Sequence, residues 1–277
     1  MKKLNGALMM FFFTVTCYAI TLPDGTNVAA KSIGTYESGV IKTVTFNIPV
    51  LINTKYGEFE FKKELSFYEN GVIEDAYLNN TYIIPTKYGD LNFDGWIRFY
   101  DTGEMRLGLL KYEDQFINTK YGEILVSEHI KFYRNGNILE CESFYLTTYI
   151  EANEADVWLL SFDQEENISQ VRFQRGTIID RNKDIYEPEE ALLNSDGTIR
   201  FVNRMKPIVI QVNQKHYIDV KSIYYDKDFI AYLPVKSINI DNFIFGDKTF
   251  LVLDDSKIII GSGIYDQENA VFIPKFF

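Results

Sequence analysis

A short pattern returns along this chain at a fixed step. That restricts the fold more than any local preference does, because each copy must form one supersecondary unit that buries its apolar face on its neighbours. Phe67-Tyr68-Glu69-Asn70-Gly71 recurs as Phe99-Tyr100-Asp101-Thr102-Gly103 and as Phe132-Tyr133-Arg134-Asn135-Gly136, with a looser copy at Thr35-Tyr36-Glu37-Ser38-Gly39. The four glycines, Gly39, Gly71, Gly103 and Gly136, step by 32, 32 and 33. A second motif keeps the same step: Thr54-Lys55-Tyr56-Gly57, Thr86-Lys87-Tyr88-Gly89 and Thr119-Lys120-Tyr121-Gly122, preceded in frame by Leu22-Pro23-Asp24-Gly25.

Past residue 150 the pattern loosens. It can be followed through Phe162 to Ile168, Asn194 to Ile199, Tyr225 to Ile230 and Leu253 to Ile258, with turn glycines replaced at Glu166, Asp228 and Ser256. Eight units result, regular over 20–150 and degenerate over 151–277. No stretch rich in Pro, Gly or Ser separates them, so a single β-repeat domain over 20–277 is expected.

Within a unit the apolar period is 2, which argues for strands. Phe59, Phe61, Leu65 and Phe67 share one parity, and Glu58, Glu60, Lys62, Glu64 and Ser66 share the other. Leu91, Phe93, Ile97 and Phe99 repeat the apolar row, as do Ile124, Val126, Ile130 and Phe132. Lys63, Gly95 or Glu128 sits at the middle of each row. Two readings keep the parity: a three-residue hairpin loop at 62–64, 94–96 and 127–129, which pairs Phe61 with Leu65, Phe93 with Ile97 and Val126 with Ile130, or one long strand. A two-residue loop is excluded, since it would put Phe61 opposite Glu64. The Tyr-x-x-Gly turn fits a type I turn closed by a left-handed glycine, which pairs Phe67 with Ile73, Phe99 with Met105 and Phe132 with Ile138. The predicted fold class is therefore all-β, an antiparallel hairpin repeat array with a period of about 32 residues, extended as an elongated sheet or a solenoid-like stack.

Residues 1–19 read as a signal peptide: Lys2 and Lys3, an apolar run from Leu8 to Val15, and a small-x-small cleavage site at Cys17-Tyr18-Ala19. Export to the periplasm, the cell surface or the medium is expected, with no membrane span in the mature chain. Lipidation of Cys17 is the competing reading of the same segment. The net charge of −11, more negative once Lys2 and Lys3 are removed, opposes phosphate backbones and argues against nucleic acid as a partner. The mature chain keeps only Cys141, so no internal disulfide is expected. With 22 Phe and 19 Tyr, packing must supply the stability.

The Phe-Tyr-x-Asn-Gly-x-Ile cores at 67–73 and 132–138, with 99–105 as a looser copy, resemble the bacterial variant of the MORN repeat over residues 35–138. That resemblance implies an antiparallel sheet of stacked hairpins and a role in protein or envelope interaction. It carries no catalytic residues. The run from Trp96 to Met105 is also similar to aromatic cell-wall-binding repeats, which are shorter and carry Trp in most copies; here only Trp96 and Trp158 are present.

No catalytic motif is found. His129 and His216 lie in separate units without metal-type spacing, and His129 falls on the polar parity, where a solvated surface histidine is expected. Asp180-Arg181-Asn182-Lys183-Asp184 has the alternate-oxygen spacing of a calcium loop, but Ile185 stands where the loop needs Gly and Ala191 where it needs Glu. No metal or cofactor is therefore expected. The repeated tyrosines form two ladders, Tyr36, Tyr68, Tyr100 and Tyr133 in one turn and Tyr56, Tyr88 and Tyr121 in the other. They either pack unit on unit or present an aromatic stripe to a glycan or protein. An outer-membrane barrel is disfavoured because Lys63 and Glu128 would lie near the bilayer midplane. The expectation is a non-catalytic scaffold that binds a protein or cell-envelope component, with a carbohydrate-binding module as the alternative.

Overall fold

The computed structural model describes residues 18–112, 114–143, 152–179, 185–240, 243–246, 248–254, 257–266 and 271–276. Every regular element among them is a β-strand. The strands pair antiparallel with their neighbours, while Ile238–Ile240 and Phe243–Phe245 form a separate hairpin. No helix among the described residues is long and apolar enough to cross a membrane. The predicted signal segment lies outside the description up to residue 17. The first strand, Tyr18–Thr21, runs across the expected cleavage junction, and Ile20 and Thr21 pair with Val28 and Asn27.

Two compact units divide the chain. One comprises the described residues up to Ile84 together with Phe93–Gly108, and the other comprises Pro85–Asn92 and the described residues from Leu109 onward.

In the first unit the strand Gly57–Phe67 shows how a repeat is built. Its first half pairs with Val50–Thr54, where Val50 faces Phe61 and Thr54 faces Gly57. Its second half changes neighbour and pairs with Ile41–Phe46 through Val44 and Leu65. Along its other edge Ile73–Leu78 pairs with both halves, with Lys62 opposite Tyr77 and then Leu65 opposite Ala76. Lys63 and Glu64 are thus two extra residues in a bulge. An even excess preserves the alternation of faces, so Phe59, Phe61, Leu65 and Phe67 all stay inside and are essentially free of solvent. Of the two readings left open, the long strand is the one observed and the three-residue hairpin loop is not: Phe61 and Leu65 lie on one strand, each with its own partners.

The bulge needs a left-handed residue, and the three copies supply different ones: Lys63 at φ 66°, Gly95 at 87° and Glu128 at 52°. A left-handed side chain costs about 1 to 2 kcal/mol, offset at Lys63 by its ammonium lying 4.8 Å over the Tyr77 ring. Lys63→Gly is expected to stabilise the protein by up to about 1 kcal/mol and Gly95→Lys to destabilise it by at least as much. Urea midpoints that move in the opposite order would refute the bulge assignment.

The Tyr-x-x-Gly turns follow their sequence pattern. Tyr68 N–H donates to Val72 O at 2.8 Å, Gly71 N–H donates to Tyr68 O at 2.9 Å, and Gly71 has φ 85°. Phe67 then faces Ile73, and Phe132 faces Ile138. The same pair returns in the second unit as Phe162 with Ile168, Leu193 with Ile199 and Leu253 with Ile259, so the repeat persists where its letters fade.

Two turns differ from expectation. Leu22 to Thr26 has the hydrogen bonds of the Tyr-x-x-Gly turn, with Leu22 N–H to Thr26 O at 2.8 Å, although its sequence frame is that of Thr-Lys-Tyr-Gly. The left-handed residue of the last turn is Lys257 at φ 60°, while Asp228 lies in a shorter turn closed by Asp226 N–H to Phe229 O.

The second unit also departs from one wet face. Phe250–Leu253 is buried on both faces, and a second cluster of Phe229, Ala231, Phe250, Val252 and Phe272 packs on the side that regular units leave to water. Tyr224 stacks on Phe272 at 4.7 Å and Phe201 on Tyr265 at 5.0 Å. Contiguous apolar runs such as Phe250-Leu251-Val252-Leu253 are what a strand covered on both faces requires.

Candidate functional site

The two tyrosine ladders are the features that repeat most faithfully. Tyr36, Tyr68, Tyr100 and Tyr133 each begin a glycine turn, and that turn sets the ring's direction. Each Phe–Ile pair beside the turn leaves its carbonyl and N–H without a partner in the turn's own hydrogen bonds. The tyrosine of the preceding unit supplies the first of these: Tyr36 O–H donates to Phe67 O at 2.7 Å, Tyr68 to Phe99 O at 3.0 Å and Tyr133 to Phe162 O at 2.8 Å. All four rings are half-buried. Tyr100 has the Arg106 guanidinium 5.7 Å from its ring centre.

Tyr56, Tyr88 and Tyr121 sit in tighter turns, in which Thr54 faces Gly57 and Thr119 faces Gly122. The threonine hydroxyl accepts from the tyrosine N–H at 3.1 Å and donates to the glycine carbonyl at 2.7 to 3.0 Å in all three copies. The glycines take φ of 99° to 119°, which the tight return demands. Each tyrosine oxygen accepts an N–H from far along the chain: Met105 at 2.9 Å for Tyr56, Ile138 at 3.0 Å for Tyr88 and Ile168 at 3.2 Å for Tyr121. These donors lie 49, 50 and 47 residues away. Every such N–H belongs to the Phe–Ile type of pair, so Phe99 and Met105 receive one hydroxyl from each ladder, as do Phe162 and Ile168.

The preceding lysine closes the same joint. Lys55 reaches Glu104 at 2.5 Å, Lys87 reaches Asn137 at 2.9 Å and Glu166 at 2.6 Å, and Lys120 reaches Asn167. Hydrogen bonding from Lys55 holds the Glu104 carboxyl down at about 2. Tyr88 is the most enclosed member, 4% exposed, and donates to Glu166. Burial, then that carboxylate, pushes its phenol well above the ordinary value. Glu166 is itself left-handed at φ 65°; its bonds to Lys87 and Tyr88 offset the cost of replacing a glycine there.

This coupling of the two turn types was not read from the sequence. Its signal was present as the constant offset between each Lys-Tyr pair and the apolar residue after a glycine turn, but strand periodicity says nothing about which turns meet.

No protein-family model matches the chain, and no curated protein is significantly similar to it.

His129 keeps its polar parity but is less exposed than expected. It is one of the two extra residues of the bulge in the strand Gly122–Phe132, and it is half-buried rather than solvated. Its Nδ1 lies 2.9 Å from Glu142 and its Nε2 3.6 Å from Glu140, which also binds Lys131. The ring's hydrogen bond, with Lys131, holds Glu140 down at about 2, whereas burial, reinforced by Glu128 and Glu140, raises Glu142 to about 7. His216 is half-buried at the start of its strand, opposite Val212. The Asp180 to Asp184 segment lies outside the described residues, and no group of three metal-ligating side chains occurs among those described.

Glu142 makes a pH expectation. Its folded-state value exceeds the ordinary 4.5 of a glutamate, so the folded chain holds the proton more tightly than the unfolded chain does. That contribution is complete below about pH 4.5 and is lost as pH rises through 7. Glu142→Gln is expected to recover about 1 kcal/mol or more at pH 8 and to flatten the fall in melting temperature between pH 5 and pH 8. A fall as steep as that of the unsubstituted chain would disprove the assignment.

Proposed function

We propose that the chain is an exported, non-catalytic scaffold of MORN-type hairpin repeats that binds a protein or cell-envelope component. The observation that carries the reading is a repeated exposed apolar position. Leu51 and Ile83 in one unit and Phe116 in the other are each the second residue of the short strand before a Thr-Lys-Tyr-Gly turn, and they are 52%, 66% and 55% exposed. An apolar residue kept outside in three successive copies fits a partner surface, since water alone gives no reason to retain it. The charge balance favours a partner without phosphate backbone, and the N-terminal segment favours export.

The carbohydrate-module reading is weaker, because the ladder rings are half-buried or buried and most of their hydroxyls are engaged with backbone. Trp96, on which the likeness to cell-wall-binding repeats depends, is half-buried with the Arg98 guanidinium 4.6 Å from its ring. The barrel reading would turn Phe59, Phe61, Leu65 and Phe67 to lipid, yet this row is packed inside the protein.

Capture of envelope proteins by the mature chain, compared with a Leu51→Asp, Ile83→Asp and Phe116→Asp variant of unchanged melting temperature, tests the proposal. A partner held by the first and released by the second is expected. Capture that ignores the substitutions would overturn it.

A further inference from the structure

Each Thr-Lys-Tyr-Gly turn drops a phenol ring into a slot beside a Phe–Ile pair one and a half units along the chain. In the first unit the filled slot is well defined: the Tyr56 ring stacks on Phe99 with centres 6.3 Å apart and planes 26° apart, and its oxygen accepts from Met105 N–H. One repeat earlier the equivalent pair is Phe67 and Ile73, and the residue in frame with Tyr56 is Asp24. Its carboxylate is turned back on its own loop, accepting from Thr26 N–H at 3.0 Å and from the Thr26 hydroxyl at 2.6 Å. No described side chain reaches Ile73 N–H.

The slot therefore stays open as a cavity of about 280 Å³, walled by Ile52, Phe67, Ile73 and Phe99, with Asn53 and Asn70 at its polar side. The lysine joint is missing too. Pro23 stands in frame with Lys55, and Val72 with Glu104, so the ion pair or amide that closes the other slots has no counterpart at these two positions. Pro23 packs so closely that a Cβ on Gly71 would lie 2.8 Å from its own Cβ, which keeps the turn from closing the slot by moving inward.

We propose that this slot binds a tyrosyl side chain brought by a partner polypeptide. The ring lies against Phe67 as Tyr56 lies against Phe99, and its hydroxyl oxygen accepts from Ile73 N–H as Tyr56 accepts from Met105. The three filled slots name the occupant: an aromatic ring for the Phe wall and a hydroxyl at para reach for the backbone donor. The inference rests on the partner-binding reading and specifies the side chain the partner supplies.

Titration of the whole chain with Gly-Tyr-Gly, Gly-Phe-Gly and p-cresol, followed at the Ile73 amide by NMR, tests it. Saturable shifts with the tyrosyl peptide are expected, about tenfold weaker with the phenylalanyl peptide, since only the hydroxyl meets the N–H. Asp24→Tyr, which supplies the ring internally, and Val72→Trp, which fills the slot from the opposite wall, are each expected to abolish those shifts. Equal binding of both peptides, peptide shifts that survive both filling variants, no saturable shift at all, or binding of p-cresol with exclusion of the tyrosyl peptide would each overturn the assignment. Because the titration uses defined peptides, its failure leaves the capture experiment free to judge partner binding by itself.

Discussion

Tyr88→Ala is expected to cost about 4 kcal/mol, near the range for removing a buried aromatic ring, because the side chain fills the space beside Ile138 and anchors Glu166. Tyr88→Phe separates the two contributions. The ring remains, but the buried Ile138 N–H loses its acceptor and the Glu166 carboxylate a donor, which costs about 1 to 3 kcal/mol. The same change at Tyr56 or Tyr121, both half-buried, is expected to cost less, since water can replace the hydroxyl. Burial raises the Tyr88 phenol above the ordinary 10.0 of a tyrosine, so its contribution is intact below pH 10 and is lost as pH climbs beyond. Denaturant melts of the three Tyr→Phe variants decide the matter. A Tyr88→Phe midpoint equal to that of the parent would mean that the hydroxyl adds nothing and that the ladder is held by packing alone.

Gly71→Val carries the second large effect. Its φ of 85° puts any side chain in the left-handed region, at about 1 to 2 kcal/mol, and the new Cβ would sit 2.8 Å from Pro23 Cβ, adding an overpacking cost of about 1 to 3 kcal/mol. Gly103, at φ 86° with nothing within 4 Å of its Cβ position, is the matched control and should show the conformational cost only. A total near 3 kcal/mol at Gly71 against about half that at Gly103 is expected in urea melts. Pro23→Gly in the Gly71→Val background should recover most of the difference. Equal losses at the two glycines would mean that the turn from Leu22 to Thr26 does not pack on Gly71.

Much of this architecture could be read in the residues themselves. The glycine step and the alternation of Phe59, Phe61, Leu65 and Phe67 are local statements: a left-handed turn position tolerates glycine best, and a half-buried strand must alternate. Those two rules were enough for the all-β hairpin array and for the facing of Phe67 with Ile73 and Phe132 with Ile138. They could not separate a hairpin loop from a bulge at Lys63, Gly95 and Glu128, because both keep the parity. Only the change of neighbour from Val50–Thr54 to Ile41–Phe46 along one strand decides it. His129 keeps the polar parity, but periodicity could not show that Glu142 and Glu140 half-bury it there.

The ladders mark the boundary most clearly. That Tyr36, Tyr68, Tyr100 and Tyr133, and Tyr56, Tyr88 and Tyr121, recur in frame was determined by the sequence alone. That Tyr56 meets Met105, and that no described side chain reaches Ile73 N–H, was decided by the tertiary structure. A hydrogen bond across 49 residues depends on where the intervening strands turn, and a period of two carries no information about that distance.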